Sequence, residues 1–221
     1  MSKHDPALSA GASTSEAAFR LAEAFYSRTD KRGVILAGNE VFQRVAGHDW
    51  DSLIGAPHKI IRHPDMPKGL FHLLWDRIKA GHPTGAFIKN RRACGRFYWV
   101  FALIAPTEGG YISTRIKPVS SLRGDVEVVY AEMLKREQDG ATPAESAQHL
   151  RDWLRGQGFT RYESFQSHAM ATEFEARARK LQQPLDPVLK RFADMSKAIS
   201  DVWDEAERMT EVFQAIVTAA S

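Results

Sequence analysis

The stretch IIRHPDMPKGLF, residues Ile60–Phe71, places an arginine, a histidine and a carboxylate (Arg62, His63, Asp65) within four positions. Pro64 and Pro67 each fix one backbone dihedral and narrow the unfolded ensemble of the loop. Directly after them Leu70, Leu73, Leu74, Arg77 and Ile78 recur at helical spacing, with Pro67 in the first turn and Gly81 past the last. The stretch therefore reads as the rigid mouth of an amphipathic helix. An arginine at such a mouth can clamp a phosphate or carboxylate with two hydrogen bonds. Asp65 has two readings at this point, a cap for the helix or an ion-pair partner that holds Arg62.

Upstream, FYSRTDKRGVILAGN (residues 25–39) holds two short apolar stretches broken at Asp30-Lys31-Arg32-Gly33, the pattern of a β-hairpin. NEVFQRVAG (39–47) is a short helix with Asn39 as N-cap and Gly47 beyond its end, and DWDSLIG (49–55) is a second helical turn stopped by Gly55. Downstream the period changes to two. Residues 85–119 contain three strand segments, broken at Ala93-Cys94-Gly95 and again at Pro106 to Gly110. In RFYWVFALIAP (96–106) nearly every position is large and apolar, so both faces of that strand are to be covered. The reading is an α+β domain: two strands, short helices, one longer helix, then three strands.

Beyond Gly124 the strand signal ends. Residues 125–140 and 162–184 read as helices, and TPAESAQHLRDWLRGQGF (142–159) opens with a cap, a proline and an acid at Thr142, Pro143 and Glu145. After Pro184 and Pro187, Leu185, Phe192, Ile199, Ala206 and Phe213 recur every seven residues. Val188, Met195, Val202, Met209 and Ile216 repeat with the same period, offset by three. Such an a/d seam predicts a coiled coil or bundle, and a homodimer through the C-terminal helices. The expected organisation is a flexible leader at 1–19, the α+β domain at 20–120, a helical region at 125–183 and the coiled-coil helix at 184–221.

Composition narrows the classes. At 221 residues, 43% hydrophobic and 26% charged, the chain suits one domain plus an appendage. No apolar run approaches the roughly 20 residues of a membrane span, and the N-terminus lacks the apolar core of a secretory signal. A single cysteine, Cys94, excludes an internal disulfide and fits a cytoplasmic protein. Residues 1–124 carry 18 Lys/Arg against 10 Asp/Glu, yet the charges are scattered outside KNRR (89–92) and no nucleic-acid module is present. His58 and His63 lack the further ligands of a zinc set, so no metal site is expected. G-x-S-x-G, P-loop and G-x-G-x-x-G motifs are absent, and the chain is not read as an enzyme. Cys94 sits in a hairpin turn, the wrong place for a flavin-adduct thiol, whereas His72 is a candidate axial haem ligand.

Four strings carry a resemblance: GNEVFQRVAG (38–47), LIGAPHKIIRHPDMPKGLF (53–71), LWDRIKAGHPTGAFIKNRR (74–92) and GRFYWVFALIAP (95–106). Residues 24 to about 120 resemble a PAS domain of the Aer type, the kind found in aerotaxis receptors and cytoplasmic chemoreceptors. The resemblance implies a five-stranded antiparallel sheet with helices over one face. It also implies noncovalent FAD between sheet and helices, whose redox state reports electron transport, with haem b in related oxygen-sensing domains as the alternative. Carried over by position, the cofactor-binding residues are Arg62, His63 and Asp65 in the helical connection and Asn90 on a strand, with Trp99 on the core-facing strand suited to either cofactor. An arginine matches a pyrophosphate, and an asparagine amide can both donate to and accept from a flavin edge. The sequence departs from the pattern at Thr84, where flavin-binding members usually carry a tryptophan. Implied partners are chemotaxis and signalling proteins; a cofactor-free dimerisation and docking module is the second reading.

Overall fold

The computed structural model describes Glu16, Ala17, residues 19–184 and scattered positions from 187 to 218. Its centre is a five-stranded, wholly antiparallel sheet. β1 (Ala24–Asp30) and β2 (Ile35–Gly38) form the expected hairpin. β3 (Thr84–Arg91), β4 (Phe97–Thr107) and β5 (Gly110–Ile116) follow as a meander, and the spatial order is β2-β1-β5-β4-β3. Asp30 closes the first hairpin by accepting from the Arg32 and Val34 amides, and Gly33 takes the left-handed conformation that the turn needs.

Between the hairpin and the meander run α1 (Glu40–Ala46), α2 (Trp50–Leu53), a 3₁₀ turn at His58–Ile61 and α3 (Lys68–Lys79). The caps are those the sequence predicts for α1: Asn39 accepts from the Phe42 amide and Gly47 closes the far end in a left-handed conformation. Side-chain alternation puts Phe25, Ser27, Thr29, Ile88, Asn90, Ile104, Ser113 and Arg115 on the face toward these helices. Pro106 does not end its strand. It pairs with Tyr111 of β5 but lies beyond Ile104, the last β4 residue paired with β3, so its missing N–H breaks no rung of the β3–β4 ladder.

Three more helices follow: α4 (Leu122–Gln138), α5 (Pro143–Gly156) with the predicted capping box at Thr142 and Glu145, and α6 (Tyr162–Leu181). They dock on the sheet domain through polar anchors as well as apolar burial. Glu137 of α4 accepts from the amides of Lys68 and Gly69, capping the start of α3, while the buried Glu173 of α6 accepts from the amides of Val119 and Ser120. Residues 1–15 and 18 of the expected leader lie outside the described residues. Ala17 and Phe19 are buried, the Ala17 amide donates to the Phe97 carbonyl, and Phe19 packs edge-on against Phe25 and Tyr98, so this apolar pair docks on the sheet. Of the C-terminal seam, Leu185, Val188, Phe192, Ile199, Phe213 and Ile216 lie outside the described residues; Met195, Val202, Ala206 and Met209 are helical and exposed.

Gly69 is where α3 and α5 come closest. A Cβ there would lie 2.5 Å from the Ser146 hydroxyl and 2.7 Å from the Ala147 amide nitrogen, inside any real contact distance. Gly69→Ala is expected to push the two helices apart and destabilise the protein by about 1–3 kcal/mol. Denaturant unfolding checks this; an unchanged midpoint would mean that the helices do not pack this closely.

Candidate ligand pocket

A cavity of about 250 Å³ lies between the sheet and the helical connection. Its apolar wall comes from α3 (Phe71, Leu74, Trp75, Ile78) and from Ile88, Ile104 and Tyr111 of the sheet. Trp75 stands edge-on to Tyr111 with ring centroids 5.4 Å apart, and a side chain at Gly33 would press on the Trp75 ring at 3.1 Å. The glycine thus serves both the turn and the cavity wall. The polar wall is cationic: Arg32, Lys59, Arg62, Arg115 and His58 line it with Ser27, Thr29, Asn90 and Ser113. Among the described residues no Asp or Glu does.

Arg115 is 3% exposed. Its guanidinium donates to the Ser27 hydroxyl at 3.0 Å and the Ser113 carbonyl at 3.3 Å, and its Nη2 lies 2.7 Å from His58 Nε2. A guanidinium can only donate, so His58 Nε2 accepts and the ring proton sits on Nδ1. Burial first, then the charges of Arg115 and Arg62, hold the His58 imidazole well below its ordinary proton affinity. Burial likewise pushes Arg115 down to about 10. Arg62 lies flat on the Phe71 ring, 3.4 Å from its centroid, and its buried Nε has no hydrogen-bond partner among the described residues. The Ser113 hydroxyl is similarly buried and unpartnered.

The structure divides the residues singled out in the sequence. Arg62 and Asn90 line the cavity and are bridged through their backbones. His63, Asp65 and Trp99 lie outside its wall. His63 is buried against Phe97; burial lowers its proton affinity, and its Nδ1 accepts from the Asp65 amide at 3.2 Å. Asp65 neither caps α3 nor pairs with Arg62. Its carboxylate meets Lys89 Nζ at 2.6 Å, and Glu137 supplies the cap from 68 positions away in sequence. Trp99 faces away from the cavity because it alternates with Tyr98 and Val100; the Arg123 guanidinium lies over its ring at 5.6 Å. His72 is on the outer side of α3, its side chain 40% exposed beside Asp76 and outside the cavity wall. Thr84 is buried under Arg77, which donates to its hydroxyl at 3.2 Å and pairs with Glu163 of α6 at 2.7 Å. A polar anchor for α6 thus stands where an aromatic was anticipated.

His58 and Arg115 were not among the residues singled out as cofactor ligands. Arg115 alternates with Ser113 and Tyr111 on the inner face of β5, and a cation on the core face of a strand was the available signal. Among the described residues no cluster of three or more His, Cys, Asp or Glu could hold a metal, and no helix is long and apolar enough to cross a membrane.

This sheet order, with a helical connection arched over one face and a cavity beneath it, is that of a PAS domain, and residues 35–113 match the PAS fold family. More narrowly, the domain is of the Aer type. It is 39% identical over 109 residues to the aerotaxis receptor of Escherichia coli (strain K12), covering 47% of this chain and 22% of the receptor. It is 28% identical over 87 residues to the bacterioopsin transcriptional activator of Halobacterium salinarum, covering 38% of this chain and 13% of that protein. The chain therefore spans less than a quarter of either curated relative's length. Among solved structures, the LOV domain of the blue-light activated histidine kinase EL346 of Erythrobacter litoralis is 18% identical with a TM-score of 0.37, over 42% of this chain and 90% of that domain.

His58 sets a pH dependence. It stays neutral in the fold below the 6.5 at which an unfolded histidine takes a proton, so the unfolded state binds protons first as pH falls. Stability is expected to drop below pH 6.5 by up to about 1.4 kcal/mol per pH unit for this residue, until His58 itself titrates. His63, shifted the same way, adds a share. In His58→Gln, which keeps an acceptor for Arg115, the pH slope between 7 and 5 should flatten; denaturant midpoints measured across that range would decide.

Proposed function

We propose that the chain is a non-enzymatic, cytoplasmic sensor of redox or oxygen status in taxis signalling, with FAD as the favoured cofactor of its PAS domain. The observation that carries this reading is the cavity: an apolar slot beside one buried guanidinium, Arg115, and one half-buried, Arg62, with no acidic lining among the described residues. Likeness to an aerotaxis receptor supports the taxis assignment. At about 250 Å³ the cavity is small beside the roughly 300–1,000 Å³ of typical ligand pockets. A flavin ring suits it better than a whole dinucleotide, whose phosphates would extend toward the exposed Arg32 and Lys59. Arg62 and Asn90 are the wall residues assigned to the cofactor; His63 and Asp65 are assigned to hold the loop. A bound flavin would supply reversible electron uptake. Haem b is the second reading, and the place of His72 on the outer side of α3 counts against it as the iron ligand.

Two elements can carry a change in the cavity outward. α3 lines the cavity with Phe71, Leu74, Trp75 and Ile78 and packs on α5 through Gly69. β3 lines it with Ile88 and Asn90 and is bonded to α4 and α6 through Tyr130, Tyr162 and Gln166. The C-terminal seam is the proposed output, a homodimer contact that passes the signal to chemotaxis proteins. In the single chain Met195, Val202 and Met209 expose 56%, 69% and 65% of their surface at seven-residue spacing, a stripe that a second copy would cover.

Reconstitution tests the cofactor. Refolded with FAD, the protein is expected to show flavin absorption bands, and Arg62→Ala and Asn90→Ser to weaken retention by tenfold or more with the far-UV spectrum unchanged. His72→Ala should retain the cofactor fully. A wild type that stays colourless with both FAD and haem would reject the sensor reading in favour of a cofactor-free docking module. The seam is tested apart from the cofactor. Val202→Asp would strand a charge in an apolar interface at a cost of several kcal/mol, and light scattering should find a monomer where the wild type is a dimer.

A further inference from the structure

Arg115 stands out because its surroundings do not neutralise it. Buried arginines ordinarily meet a carboxylate, since removing a charge from water without compensation costs far more than hydrogen bonds to neutral groups return. Among the described residues none lies within ion-pair distance of Arg115; its partners are a hydroxyl, a carbonyl and a neutral imidazole. The aromatic faces of Phe25 and Phe42 lie 5.8 and 5.5 Å from the guanidinium carbon, which lessens the charge without cancelling it. Tyr98 would offset the charge only as a phenolate, and burial drives its phenol upward, away from ionisation. The same wall holds a second, half-buried cation, Arg62, whose buried Nε is orphaned among the described residues, and an unpartnered hydroxyl on the 7%-exposed Ser113. Two guanidiniums and an unpartnered hydroxyl therefore border the cavity, and no carboxylate among the described residues lines it.

We infer that the inner end of this cavity is an anion seat built on Arg115, His58 and Ser113, and that the ligand bears negative charge, or can acquire it, on the oxygen seated there. The inference rests on the cavity being the ligand site proposed above, and adds the sign of the ligand's charge and the residue that selects it. Arg115 completes the charge balance only when such a ligand enters, so it is a specificity-determining residue rather than a structural one. Two sources present this chemistry. One is a flat ligand with a permanent carboxylate. The other is a flavin, whose conjugated carbonyl system takes negative charge when electrons are added.

The experiment uses the full chain and three probes. Benzoate and benzamide share a shape and differ in charge; thermal-shift titration of ligand-free wild type reads the carboxylate source. Redox titration of FAD-loaded protein reads the flavin source. For a permanent carboxylate, benzoate should bind at least tenfold more tightly than benzamide, and Arg115→Met should erase the difference. For a flavin, Arg115→Met should weaken the preference for the reduced ring tenfold or more, a potential lower by about 30 mV for two electrons. Equal binding of benzoate and benzamide, together with a flavin potential that moves by less than this, overturns the anion seat. Should Arg115→Met fail to fold, wild type decides alone. Indifference to benzoate and a bound potential no higher than that of free flavin overturn the proposal. Failure to retain FAD with a benzoate preference intact would sink the flavin function and leave the seat standing; retained FAD with an unmoved potential and no benzoate preference does the reverse.

Discussion

An antiparallel sheet of five strands has two open edges, and the rest of this molecule depends on how the β3 edge is closed. Each outward amide and carbonyl there needs a partner, or it costs a desolvation penalty and invites another strand. The partners come from distant parts of the chain. Gln166 accepts from the Gly85 amide, the Tyr162 and Tyr130 hydroxyls donate to the carbonyls of Gly85 and Phe87, the His63 amide donates to the Lys89 carbonyl, and Met66 sulfur receives the Lys89 amide. One strand edge therefore holds both the helical connection and the appended helices, while the same strand's inner face lines the cavity.

That arrangement explains why the Arg62–Asp65 string is so crowded. Its residues divide the work by direction. Arg62 turns inward over Phe71 and borders the cavity, His63 turns under Phe97, and Asp65 turns out to Lys89. With two prolines limiting the loop, the ion pair from Asp65 to Lys89 and the backbone bridge from Arg62 to Asn90 tie it to β3 on both sides of His63. Asp65 is half-exposed and its pair contributes little stability on its own; what it provides is a tether from the loop to Lys89 of β3.

The core also contains a conflict of the kind that marks function. A well-packed apolar side chain in place of Arg115 would spare the fold the cost of a buried cation, and His58 beside it is held neutral by burial first and by the same positive field second. Local rules of folding favour neither residue. Their juxtaposition on the wall of the cavity is the kind of local conflict that points to a functional site.

Much of the architecture was legible in the sequence, because it depends on local signals. The hairpin at Asp30–Gly33, the Asn39 and Thr142 caps, the meander broken at Cys94-Gly95 and the switch to helices after residue 120 are set by turn chemistry and period, which act within a few residues. Of the site, Arg62 could be picked out as a cation at a rigid helix mouth, and Asn90 by its position in the resemblance to Aer-type PAS domains. What tertiary structure alone decided are the contacts between residues far apart in sequence. Trp99 turned to the outer face because the register of β4 sends Tyr98 inward, and no composition cue separates two adjacent aromatics on a strand buried on both faces. Glu137, not Asp65, caps α3, because a helix start accepts any carboxylate that folding brings near, and a chain separation of 68 positions determines which one arrives. Arg115 meets His58 across 57 positions, and only closure of the sheet against the helical connection encloses that pair with no carboxylate beside it among the described residues. Sequence specifies which charges exist and their local geometry; the fold decides which of them are left to be neutralised by something else.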